Sequence, residues 1–122
     1  QFGIRSGEKY EFEWAKKHNT INKFDLNGLD DLICELKEAN LPVYFTVDLD
    51  VLDPSVFPGT GTPEPGGISY KELQDAVIKV CGGLNIIAAD VVELCPHYDQ
   101  SGASTAIACK ILRELLLALS GR

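Results

Sequence analysis

The chain has 122 residues, 45% hydrophobic and 24% charged, a balance that suits one folded domain with a moderate core. Its formal net charge of −7 argues against nucleic acid or an anionic membrane as partner. No apolar run is long enough to span a bilayer, and Cys34, Cys81, Cys95 and Cys109 form no CxxC pair, so reduced thiols in a cytoplasmic protein are expected. The four cysteines read as buried small apolar residues and not as nucleophiles.

The chain opens at Gln1, contains no Met, and begins with a strand-like Phe2-Gly-Ile-Arg5, which reads as a piece of something longer. Ser6 is placed to cap a helix running toward Lys17, with Glu8 favourable in its first turn. A short strand is expected from Ile21 to Phe24. Leu29, Leu32, Ile33 and Leu36 then recur at i, i+3, i+4 and i+7, a one-sided helix that should stop near Asn40, ahead of Pro42.

From Val43 to Val47 every residue is β-branched or aromatic, which predicts a strand covered on both faces. A turn-rich loop, Pro58-Gly-Thr-Gly-Thr-Pro-Glu-Pro-Gly-Gly67, follows. Ser69-Tyr-Lys-Glu72 forms a capping box, and Tyr70, Leu73, Val77 and Val80 continue one apolar face up to Gly82-Gly83. Leu84 to Val92 is a second apolar strand, and Tyr98 to Gly102 a turn. A last helix from about Ala103 to Leu119 carries Ile107, Ile111, Leu115 and Leu119, with Leu112 and Leu116 widening the stripe, so it should be largely buried. Strands alternating with helices predict a parallel sheet with helices on both faces, an α/β fold with all of residues 1–122 in one domain.

The chemistry gathers at the strand ends. Asp48 and Asp50 stand two apart, and in extended chain they would point to one side, roughly 6.6 Å apart. Carboxylates held so close repel each other unless a cation lies between them, and hard divalent metals take such oxygen donors. Asp53-Pro54 reads as a turn starter. Asp90 and Glu93 stand at the end of the second strand, and ligands of open parallel sheets bind outside those ends.

Templates discriminate. An EF-hand loop starting at Asp48 would need an acid at Leu52, Gly at Asp53 and Glu at Gly59, and fails. A haloacid-dehalogenase-type phosphatase, with Asp48 as nucleophile, would carry Thr or Val where this chain has Leu52. A glycosyltransferase DxD finds no nucleotide pocket beside it, and the Gly-rich loop lacks the Lys of a P-loop.

Thr46-Val-Asp-Leu-Asp-Val-Leu-Asp-Pro54, followed by Pro58-Gly-Thr-Gly-Thr-Pro63 and Gly66-Gly67, resembles the signature of the ureohydrolases, the arginase and agmatinase family. Asp90-Val-Val-Glu93 and Pro96-x-Tyr98-Asp99 resemble that family's last strand and the turn after it, and Gly3-Ile4-Arg5 a strand in its middle. The match covers the whole chain but only the C-terminal portion of the family, and its wording is closest to the agmatinases. The resemblance implies a three-layer α/β/α fold and a homo-oligomer in the full-length protein. It also implies two Mn2+ ions and hydrolysis of agmatine to putrescine and urea.

By the same resemblance, Asp48 bridges the two metals and Asp50 completes the second, which makes both catalytic. Glu93 pairs with the substrate guanidinium, and Thr62 lines the pocket. The family's other ligands come from an upstream His and an Asp-x-His-x-Asp motif, and neither is in this sequence. His18 reads as a solvated helix end and His97 as a turn residue bordering the site. The chain by itself is therefore expected to be inactive.

Overall fold

The computed structural model describes residues 1–19 and 25–121. The expected strand from Ile21 to Phe24 lies outside the described residues. The elements run α1 (Lys9–His18), α2 (Leu29–Ala39), β1 (Pro42–Asp48), α3 (Tyr70–Gly83), β2 (Asn85–Val92) and α4 (Ala103–Ser120). Single 3-10 turns follow each strand, at Leu49–Val51 and Pro96–Tyr98.

The framework is one βαβ unit. β1 and β2 pair in parallel, with Thr46 opposite Asp90 and Asp48 opposite Val92. α3 makes the crossover. Its start follows the capping box: the Ser69 side chain accepts from the Glu72 N–H, while the Glu72 carboxylate accepts from the Ser69 N–H at 2.8 Å. Leu73, Ala76, Val77, Val80 and Cys81 form its buried face. Together with Val47, Leu49, Leu52, Phe57, Ile68, Ala108, Ile111 and Leu115 they make the core, and Phe45, Ala89 and Val91 of the sheet pack against it.

Four expectations are corrected. Phe2 to Arg5 is not a strand: only Phe2 makes a bridge, and the segment instead lies along the turn after β1. α1 is capped at Glu8, not Ser6, because the Glu11 carboxylate accepts from the Glu8 N–H at 2.7 Å. β1 is covered on one face only. Val43, Phe45 and Val47 turn inward, whereas Tyr44 is 60% exposed and Ile87 of β2 68%. α4 likewise buries Ser104, Ala108, Ile111 and Leu115 but leaves Leu112 and Leu116 exposed. Both misses share a cause, since apolar faces that nothing among the described residues covers look identical in sequence to buried ones.

The cysteines divide as well. Cys81 is buried, Cys95 half-buried, and Cys34 and Cys109 exposed, so the reading of all four as buried holds for Cys81 alone. No described helix is long and apolar enough to cross a membrane.

Candidate active site at the paired strand ends

β1 stops at Asp48 because the chain tightens at once into the turn Leu49–Val51, in which the Asp50 N–H donates to the Asp48 carboxylate at 3.2 Å. Asp50 therefore lies on a turn and not one pleat further along an extended strand. That corrects the extended geometry while keeping the two acids together. Leu49 and Leu52 are both buried and anchor the turn from below.

The loop after the turn folds back onto it. Leu52 bridges Ile68, the Asp53 N–H donates to the Ile68 carbonyl, and the Ile68 N–H donates to the Val51 carbonyl, both at 3.0 Å. Gly67 is required there, because a Cβ would come within 2.3 Å of the Asp53 nitrogen. The Asp53 carboxylate collects the N–H groups of Ser55, Gly66 and Gly67 and the Ser55 hydroxyl. These donors, Ser55 foremost, hold its pKa down at about 2. Asp53 is thus a loop knot, as its turn-starter reading implied.

The loop returns Thr62 to the site, where its hydroxyl donates to the Asp50 carboxylate at 3.2 Å. At the other wall the Gly59 N–H donates to the Ser104 hydroxyl at 2.9 Å, and the Cys95 N–H to the Gly59 carbonyl at 2.7 Å. Asp99, buried, closes this corner by accepting from the N–H groups of Ser101 and Ser104.

Glu93 follows β2 with φ at +66°, a left-handed conformation rare for a residue with a side chain. The kink breaks the strand's alternation beside Asp48. There the negative charge of Glu93 adds to a rise in the Asp48 pKa. Burial is the largest cause, repulsion by Asp50 the next, and the Asp48 carboxyl is pushed up to about 6. Asp48, Asp50, Thr62 and Glu93 thus converge on one corner.

Asp90, the other acid of the second strand, does not join them, and the two histidines stand outside the corner as expected. Asp90 sits one pleat short of the corner, on the open sheet face, where it accepts hydrogen bonds from the hydroxyls of Tyr44 and Thr46. Those donors, Thr46 first, lower its pKa. His97 is exposed on the turn after β2, and His18 stacks on Trp14 at a helix end. Arg5 was missed as a contributor. Its guanidinium reaches the carbonyls of Asp50 and Val51, and only its place beside Gly3, in a segment read as a strand, could have drawn attention to it.

Two carboxylates that resist ionising together suit a cation, and their all-oxygen chemistry suits a hard divalent ion. They fit such an ion as part of a site. Among the described residues no group of three His, Cys, Asp or Glu side chains is placed to hold a metal.

The family model described as Arginase family matches residues 1–118. The agmatinase of Bacillus cereus is 49% identical over 119 residues, which is 95% of this chain and 40% of that protein. A Clostridium difficile crystal structure assigned as an agmatinase superposes with a TM-score of 0.92 at 50% identity, over 99% of this chain and 44% of its own. The arginase of Bacillus caldovelox gives 0.81 at 30% identity, over 93% of this chain and 41% of its own. The chain spans about 40% of the length of the curated relatives it matches. With the Arginase family model matched over residues 1–118 and relatives near 50% identical along a shared fold, the chain belongs to the arginase family.

Proposed function

We propose that this chain supplies the substrate-facing corner of a binuclear manganese hydrolase acting on a guanidino compound, with agmatine as substrate and putrescine and urea as products. One observation carries the reading. Two paired parallel strands end side by side, one in Asp48 and Asp50 and the other in a Glu93 forced into left-handed backbone next to them. The agmatinases among the relatives favour agmatine over other guanidines.

In this reading Asp48 and Asp50 would hold the metal ions, Asp48 serving both and Asp50 one. Such a metal pair would supply a nucleophilic water near neutral pH. The protein's own part is to hold charge and orient substrate. Glu93 offers a carboxylate fork to the planar guanidinium N–H groups, which fixes the carbon to be attacked. Thr62, by donating to Asp50, keeps that side chain turned into the corner. A net charge of −7 suits a cationic substrate. We assign the complete protein to the cytoplasm and expect a homo-oligomer, with neither nucleic acid nor membrane as partner.

The test is product analysis with the complete protein and added manganese. Urea and putrescine from agmatine support the proposal. Phosphate released from phosphoesters with no urea would replace it with a phosphatase using Asp48 as nucleophile.

A further inference from the structure

The turn that presents Asp50 is a single 3-10 turn, Leu49–Val51, closed at its end by the bond from the Leu52 N–H to the Leu49 carbonyl at 3.2 Å. Arg5 braces it from outside. Its Nη2 donates to the Asp50 carbonyl at 2.5 Å, and its Nη1 to the carbonyls of Val51 at 2.8 Å and Gly3 at 3.3 Å. Its Nε donates to the Glu64 carbonyl at 3.1 Å. All four acceptors are main-chain carbonyls, drawn from three separate stretches of chain.

Gly3 makes the approach close enough. It has φ at +74°, and a Cβ on it would come within 2.3 Å of Val51 Cγ2, so the segment carrying Arg5 lies flat on the turn. Glu64 stands two residues past Thr62, the residue whose hydroxyl holds the Asp50 carboxylate. One planar cation therefore spans the backbone under Asp50 and the strap that carries Asp50's side-chain partner. A lysine ammonium, a single point of donors, cannot span these carbonyls at once.

We propose that Arg5 is a positioning residue for the Asp50 half of the metal site, acting through the backbone of the turn and the Thr62 strap. The inference rests on the reading that Asp50 binds a metal. It predicts that loss of the fork loosens one metal ion more than the other, because the Asp48 backbone is held by its pairing in β1 opposite Val92, whereas Asp50 stands on the turn that Arg5 braces.

The experiment is manganese titration of the metal-free complete protein, with free Mn2+ followed by electron paramagnetic resonance. Wild type should bind two ions. Arg5→Lys should weaken one site about tenfold or more and change the other little, as expected when support behind a metal ligand is removed. The double variant Arg5→Lys/Asp50→Asn should be no weaker than Asp50→Asn alone, since both changes act on one ligand. Arg5→Ala should repeat the Lys result more strongly, and if it does not fold the Lys variant decides. Wild-type affinity at both sites in Arg5→Lys, or equal loss at both, would overturn the positioning role while leaving the proposed function intact. A wild type that binds no manganese and releases no urea would instead remove the metal reading, and the role of Arg5 with it.

Discussion

The hydroxyl of Thr62 donates to the carboxylate of Asp50 at 3.2 Å, across a gap of 12 residues. That contact joins the Gly- and Pro-rich loop to the acidic turn, and it gives the loop a purpose beyond reversing the chain. Thr62→Val keeps the shape and removes the donor. In the complete protein it should lower urea release and weaken manganese binding less than Asp50→Asn does, because it frees the ligand without deleting it. Metal titration and urea assay of the two variants side by side check this.

Asp48 should trade stability for function. Its folded pKa of about 6 stands above the ordinary 3.8, so the native state holds the proton more tightly than the unfolded chain. Stability is complete below about pH 4 on this account and is lost as the pH rises through 6. Asp48→Asn keeps the oxygen that accepts from the Asp50 N–H and removes the charge. The metal-free variant should therefore melt higher than wild type at pH 7, with the gap closing at pH 4, while its manganese affinity falls further than that of Asp50→Asn. Thermal melts at the two pH values, with chelator present, read the first effect.

The loop knot has the opposite sign. Asp53, with a folded pKa of about 2, stabilises the native state above the ordinary carboxylate value of 3.8 and loses that contribution as the pH falls toward 2. Asp99 is shifted down as well, chiefly by the hydroxyl of Ser101. Asp53→Asn should lower the melting temperature at pH 7 and make little difference near pH 2. Among local contacts, Ser69→Ala should cost about 1 kcal/mol through loss of the α3 cap. Phe57→Ala, at a fully buried aromatic, should cost about 3–5 kcal/mol. Urea denaturation checks both.

How much of this was legible in sequence depends on how local each feature is. The capping box at Ser69, the one-sided helix ending at Asn40 and the strands leading into Asp48 and Glu93 depend on near neighbours, and all are present. The candidate site was read from one long motif and its spacing. What could not be read depends on distant partners. Asp90 looked like a second site acid until Tyr44 and Thr46, from the other strand, took up its carboxylate. Arg5 lies 45 residues from the Asp50 carbonyl it holds, and no periodicity announces such a contact. The exposed Tyr44, Ile87, Leu112 and Leu116 read as core because sequence records apolarity and not what covers it.

The isolated 122-residue chain should release no urea from agmatine with added manganese. Asp48 and Asp50 are two donors, where manganese prefers about six. Metal should bind weakly and leave on mild chelation. The uncovered sheet face around Tyr44 and Ile87 should also drive self-association, visible as concentration-dependent sedimentation. Clear turnover by this chain alone would show that a group such as His97 completes the site.

The central claim is a division of labour between two strand ends, with Asp48 and Asp50 holding metal and Glu93 holding substrate. The most direct measurement is the manganese content of the complete protein carrying Glu93→Ala, taken alongside its urea release from agmatine. The account predicts wild-type metal content with urea release lost or severely reduced. Loss of manganese from the Glu93→Ala protein would contradict it and make Glu93 a metal ligand.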